Sequence, residues 1–320
     1  MSRKKPPVDA IPLEDLEQVV LALIAVTKDA HWHPVGSSFV VAVPEPKRAL
    51  LLTAAHNLDM VCQLDMPRAR HHSSALAEFL PQQQEWTNLA NTRLYALLPR
   101  PTGDSTLVEM LQGWYSTSLD VAVLLVELKA EQKQSFSRWF ALDTRPIESG
   151  TRVMAVGYNE MNPHFLEPPN YETGTFRIEV GLNLQTRSGH VTEVCPQGAG
   201  IHRWPGFLVS FALDSGMSGG PVIDLSNEIP LVRGLIGGDV GEDAEDGTRG
   251  SGIRPFVGML WPSMIIKTHI NLAQEGAASA TATDATLLDL VRYGVVNDRG
   301  RAHEHVQIIQ QGPKALLRWN

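Results

Sequence analysis

Apolar residues in this chain fall in short runs separated by clusters of Gly, Pro, Asp, Asn and Ser. Runs at 39–43, 50–53, 93–98, 121–128, 152–156, 175–180, 207–211 and 232–236 are too short for amphipathic helices and are rich in Val, Leu, Ile and Phe, so they predict strands. The run at 19–26 predicts a further strand, preceded by a short helical turn at 12–16. Polar, Gln-rich stretches at 62–92 predict an excursion between strands. Pro163, Pro168, Pro169 and Gly174 predict a long loop over 158–174, and the glycines and acids of 237–252 predict a second, flexible one. Beyond 260 the pattern changes. A linker is expected at 276–283, a capped amphipathic helix at 284–293, and paired strands at 306–309 and 315–319.

Composition narrows this. A chain of 320 residues with 43% hydrophobic and 19% charged positions is globular and can bury a large core. The 26 glycines and 21 prolines, spread along the chain, suit an all-β fold with many turns. A net charge of −8 gives no overall attraction for nucleic acid, and no run reaches the ~18 apolar residues of a membrane span, so neither partner is expected. The basic start Met1-Ser2-Arg3-Lys4-Lys5 resembles the head of a signal peptide. Glu14, Asp15 and Glu17 interrupt that pattern, however, and no cleavage site follows. Two cysteines, Cys62 and Cys195, make no disulfide framework, and a cytoplasmic, reducing location is expected. The pairs His31/His33, His71/His72 and His303/His305 lack the glutamate and spacing of a zinc motif, so no metal or cofactor is expected.

Three short motifs carry candidate chemistry. Ser218 stands in Asp214-Ser215-Gly216-Met217-Ser218-Gly219-Gly220-Pro221, where glycines allow the positive φ of a tight turn that exposes a hydroxyl and aims N–H groups at one point. Upstream lie Thr53-Ala54-Ala55-His56 and Ser118-Leu119-Asp120-Val121-Ala122-Val123-Leu124. Taken singly, each has a structural explanation as a glycine turn, an ordinary histidine or a strand-opening aspartate. Together they give the order His, Asp, Ser, each beside a predicted strand.

On these motifs, with Gly36-Ser37-Ser38-Phe39-Val40-Val41 before them, the chain resembles the chymotrypsin-fold (trypsin-like) serine peptidases, nearest in style to simple bacterial, HtrA-like protease domains, over about residues 19–270. The resemblance implies two six-stranded antiparallel β-barrels with the site between them, plus a C-terminal helical and mixed tail too short for a PDZ module. It implies an N-terminal extension at 1–18, a first barrel at 19–143, a second at 144–275 with its terminal helix within 261–275, and an extension at 276–320. Catalytic His56, Asp120 and Ser218 are implied, with the N–H groups of Gly216 and Ser218 as oxyanion hole.

Ala212, six residues before Ser218, would lie at the base of the pocket for the substrate side chain preceding the cut (P1), with Gly237 and Gly238 lining it. These favour a neutral, apolar side chain. Arg254 is the alternative, favouring an acidic one. Met217 occupies the position where digestive members carry the aspartate that pairs with a newly cut N-terminus, so activation by that route is not expected. The implied function is a serine endopeptidase acting on a protein or peptide. The alternative is a latent or inactive form of the fold that binds proteins and is activated by a partner. An esterase on an unrelated fold fits neither the motif order nor the turn.

Overall fold

The computed structural model of the chain describes residues 11–45, 48–65, 83–87, 89, 91–99, 105–128, 132, 139–165, 178–227, 229–240, 254–270, 285–311 and 314–319. A single helical turn, α1 (Leu13–Glu17), leads into β1 (Val20–Thr27), β2 (Trp32–Glu45) and β3 (Arg48–Thr53). Helix α2 (Ala55–Asp65) follows, then β4 (Gln83–Thr87), β5 (Thr92–Pro99), β6 (Ser105–Ser116) and β7 (Val121–Glu127). Six of these strands, in the order β6-β5-β1-β2-β3-β7, close through β6–β7 pairing into an antiparallel barrel, and β4 adds to β6 outside it.

The second half repeats the plan. Its strands are β8 (Ala141–Leu142), β9 (Arg152–Phe165), β10 (Ile178–Cys195), β11 (Gly206–Val209), β12 (Pro221–Asp224), β13 (Leu231–Asp239) and β14 (Pro255–Met259). The order β12-β9-β10-β11-β14-β13 closes through β12–β13, and β8 pairs with β13 in parallel. The chain is therefore two closed six-stranded barrels, each with an added strand.

The unbroken apolar runs have a geometric cause. Successive residues of a strand point to opposite faces. In β1, Leu21, Leu23 and Ala25 enter the first barrel's own core, while Val20, Ala22 and Ile24 enter a second core shared between the barrels. In β7, Ala122, Leu124 and Val126 face the barrel, while Val121, Val123 and Leu125 face the shared core. The second barrel does the same with Val153 and Ala155 against Met154 and Val156. Both faces of these strands are buried, so alternation of polar and apolar residues is absent.

Two sequence expectations are corrected. Residues 158–165, read as part of a proline-rich loop, continue β9 in a long hairpin with β10, Pro163 opposite Val180. The remainder of that predicted loop, 166–177, lies outside the described residues, as do 241–253. The terminal helix expected in 261–275 is a short 3₁₀ turn, Trp261–Ile265, with Pro262 inside it, followed by β15 (Lys267–Thr268). Residues 271–284 lie outside the described part.

The tail is built into the molecule. β16 (Ala285–Thr286) pairs with β15 and leads into α3 (Leu287–Arg292), whose start is closed by reciprocal hydrogen bonds between Thr286 and Asp289. Leu287, Leu288, Leu290 and Val291 join the core shared by the barrels. Helix α4 (Ala302–His305) and the paired strands β17 (Val306–Gln311) and β18 (Lys314–Trp319) complete the chain.

Between α3 and α4, the buried carboxylate of Asp298 accepts hydrogen bonds from Thr144 N–H (3.1 Å), Thr144 Oγ (2.7 Å), Gly300 N–H (2.9 Å) and Ala302 N–H (2.7 Å). Leu142 N–H donates to Asn297 C=O and Arg299 N–H to Leu142 C=O, both at 2.8 Å. The segment joining the barrels is thus clamped by residues far along the chain. Beside it, fully buried Asp143 pairs with Arg145 (2.6 Å) and Arg233. Burial pushes the Asp143 carboxyl up, and the two guanidiniums outweigh it, so the group is held below its ordinary value.

Candidate active site

β3 ends at Thr53, and the chain turns directly into α2, which places His56 in the helix's first turn. Asp120 precedes β7 with φ +49°, a left-handed conformation uncommon for a residue with a side chain but tolerated by Asp. That turn swings its carboxylate onto His56. Asp120 Oδ1 accepts the His56 backbone N–H at 3.0 Å and the ring Nδ1–H at 2.9 Å, with Oδ2 at 3.0 Å from Nδ1. One carboxylate therefore caps an open helix terminus and orients the imidazole. Because Nδ1 carries the donated proton, neutral His56 has its lone pair on Nε2. Burial disfavours the imidazolium, but the charge and hydrogen bond of Asp120 outweigh it, so the pKa of His56 is raised above its ordinary value of 6.5.

Ser218 lies on the turn between β11 and β12. Gly216 has φ +91° and Gly219 has φ +85°. A Cβ on Gly216 would stand 2.8 Å from the Tyr158 carbonyl, and one on Gly219 would collide with Thr53 Oγ1 and the Ser37 carbonyl, so only glycine fits either place. Met217 N–H closes a turn onto Asp214 C=O at 3.2 Å, and the Met217 side chain is buried in the second barrel's core. Asp214 itself pairs with Arg187 of β10.

Among the described residues, the N–H groups of Gly216 and Ser218 donate to no protein acceptor. His56, Gly216 and Ser218 open on one cavity of about 350 Å³, which Met60 and Met161 also line. No hydrogen bond joins Ser218 Oγ to His56, whose ring nitrogen bonds, among the described residues, go to Asp120.

The structure gathers His56, Asp120, Gly216 and Ser218. Gly237 lies next to Asp120: a Cβ placed on it would stand 3.6 Å from Asp120 Oδ2. Gly238 takes φ +121° at an irregularity in β13, and Ala212 is exposed. Ala212, Gly237, Gly238 and Arg254 do not line the cavity beside Ser218. Arg254 is exposed and holds Glu193 at 2.7 Å.

Sequence reading missed residues that position the turn. Ser37 N–H and Asn57 Nδ2 both donate to the Ser218 carbonyl, at 2.8 and 3.1 Å. Ser37 Oγ accepts from Tyr158 N–H at 2.8 Å and donates to Gly216 C=O at 2.9 Å. The available signal was two serines, Ser37 and Ser38, inside an apolar strand, because buried hydroxyls there need partners. His303 and His305 are absorbed by Glu304 and by stacking on Trp319 respectively, while His71 and His72 lie outside the described residues.

The family model described as "Trypsin-like peptidase domain" matches residues 36–230, more than half of the chain. No curated protein matches it. Among solved structures, Deg5 is 15% identical over 78% of this chain and 86% of its own, with a TM-score of 0.41. A thermostable serine protease, AL20, from an extremophilic microorganism is 14% identical over 78% of this chain and 93% of its own, with a TM-score of 0.44. On its motifs, its paired barrels and the matched span, the chain belongs to the trypsin-like peptidase domain family.

Proposed function

We propose that the protein is a serine endopeptidase. The observation that carries this is the convergence of three features on one cavity: an imidazole fixed by a carboxylate through Nδ1, a serine on a glycine-framed turn, and two N–H groups beside it that are unpaired among the described residues. In this reading a peptide carbonyl enters beside Ser218. His56 Nε2 takes the Ser218 proton as Oγ attacks, and the negative charge moves to the carbonyl oxygen, which the Gly216 and Ser218 N–H groups receive. Asp120 stabilises the imidazolium. That imidazolium returns its proton to the leaving amine as the C–N bond breaks, giving an acyl-enzyme on Ser218. Water, deprotonated by His56, releases the acid and restores the serine.

Arg254 stands outside the cavity beside Ser218, in a surface pair with Glu193, so it lends no support to an acidic side chain before the cut. The second reading is a latent form activated by a protein partner. One observation favours it: Ser218 and His56 are not hydrogen-bonded. Such bonds often tighten only with substrate bound. For location, the structure gives one fact: no helix among the described residues is long and apolar enough to cross a membrane.

The test is reaction with a fluorophosphonate probe. Wild type should label, and Ser218→Ala and His56→Ala should not. A folded wild type that takes no label overturns the active-enzyme reading and leaves the latent one.

A further inference from the structure

Met217 leaves the turn that carries Ser218 without a carboxylate to anchor it. A positive-φ glycine is free to swing its peptide planes, and the N–H groups aimed at a developing oxyanion are useful only when fixed in advance. The Asp214–Arg187 ion pair lies before this stretch, so residues 216–218 need a hold of their own.

The first barrel does so through one buried side chain. Ser37 of β2 is fully buried. Its hydroxyl accepts Tyr158 N–H from β9, which directs the hydroxyl's own proton onto the Gly216 carbonyl. Its backbone N–H holds the Ser218 carbonyl. The two carbonyls gripped by this residue bracket the peptides between Gly216 and Ser218, including the Ser218 N–H. Thr53 Oγ donates to the Ser37 carbonyl at 2.7 Å, and Asn57 Nδ2 bonds both Thr53 Oγ1 (2.9 Å) and the Ser218 carbonyl, so Ser37 is itself braced. No charged group takes part.

We propose that Ser37 is the positioning residue of the oxyanion site: its hydroxyl, polarised by Tyr158 N–H and bonded to the Gly216 carbonyl, sets the turn that digestive relatives set with an ion pair. The proposal rests on the endopeptidase reading. It implies that the turn is formed whenever the two barrels are docked, without cleavage of the chain.

The experiment compares wild type with Ser37→Ala and Ser37→Cys on a peptide substrate and on a peptide trifluoromethyl ketone, which adds to the serine and mimics the tetrahedral state. Losing an oxyanion donor outright costs roughly 10²–10³ in rate, and a mis-set turn is expected to cost Ser37→Ala about 10²-fold in kcat with KM changed less than about threefold. Ketone affinity should fall in parallel with kcat/KM, because only the transition state uses the site. Ser37→Cys, which keeps the shape and a weaker donor, should lie between. Thermal unfolding of each variant checks that it is folded. If Ser37→Ala does not fold, Ser37→Cys carries the comparison, with a several-fold fall in kcat and ketone affinity expected. Wild-type kcat in the folded variants, or a fall in kcat with unchanged ketone affinity, overturns the proposal while leaving the endopeptidase reading intact. A wild type that neither hydrolyses peptide nor takes fluorophosphonate overturns both.

Discussion

Replacing Asp298 by Ala tests whether the late segment is part of the fold or an attachment to it. The carboxylate accepts four hydrogen bonds, three of them from backbone N–H groups, in a site only 8% exposed. Hydrogen bonds to a charged group are worth about 1.5–3 kcal/mol each, so a plain sum starts near 6 kcal/mol. The four share one acceptor and are not additive, and water can enter the space left by the carboxylate, so the expected loss is about 3–4 kcal/mol. Asp298→Asn keeps one accepting oxygen, but it turns an NH₂ toward either the Thr144 and Gly300 N–H groups or the Ala302 N–H, and about 2 kcal/mol is expected. Urea unfolding followed by tryptophan fluorescence gives the midpoint and slope, and the difference in midpoint at constant slope gives the loss. A midpoint shift in Asp298→Ala worth less than about 0.5 kcal/mol, the range of an ordinary surface change, would refute the reasoning.

Three further outcomes are expected. The raised pKa of His56 means that the base is neutral only above its ordinary value of 6.5, so the acid limb of kcat/KM should lie above that pH, and a limb at or below it contradicts the geometry. His202 is buried, stacked on Phe256 at 4.4 Å and bonded through Nε2 to Asp239 C=O. Burial lowers its pKa, so stability should be full above about pH 6.5 and fall as the pH drops, and a flat acid profile that His202→Phe does not change would contradict this. Gly219→Ala would drive a Cβ into Thr53 and Ser37 at φ +85°, so fluorophosphonate labelling should be lost while circular dichroism still shows the barrels, and normal labelling would rule the steric argument out.

Much of the site was legible because its backbone needs special residues. Gly216 and Gly219 must be glycine, and an Asp before a strand tolerates the left-handed turn that brings Asp120 onto His56. Ser37 and Asn57 left little trace, because their partners Gly216 and Ser218 lie 179 and 161 positions away and a short polar residue beside an apolar run has many explanations. The strand at 158–165 was hidden by Pro163 and the prolines just beyond it. There β9 pairs with β10 on one side only, since β12 reaches no farther than Ala155, and an open edge tolerates a residue without an N–H. Helix α3 was readable from its capping residues and apolar spacing, whereas the clamp of Asp298 on Thr144 joins segments 154 positions apart and has no local pattern.

The division of the site between barrels has a consequence for the cell that makes the protein. His56 and Asp120 are synthesised with the first barrel and Ser218 with the second, and the Asp298 clamp on the connector between them is made last. Domains fold in the order in which they are made. A half-made chain therefore carries a base without a nucleophile, and later a nucleophile whose turn still waits for both barrels to dock. If the protein is the endopeptidase proposed above, growing chains are harmless to their neighbours on the polysome, and the hazard begins only with the finished fold.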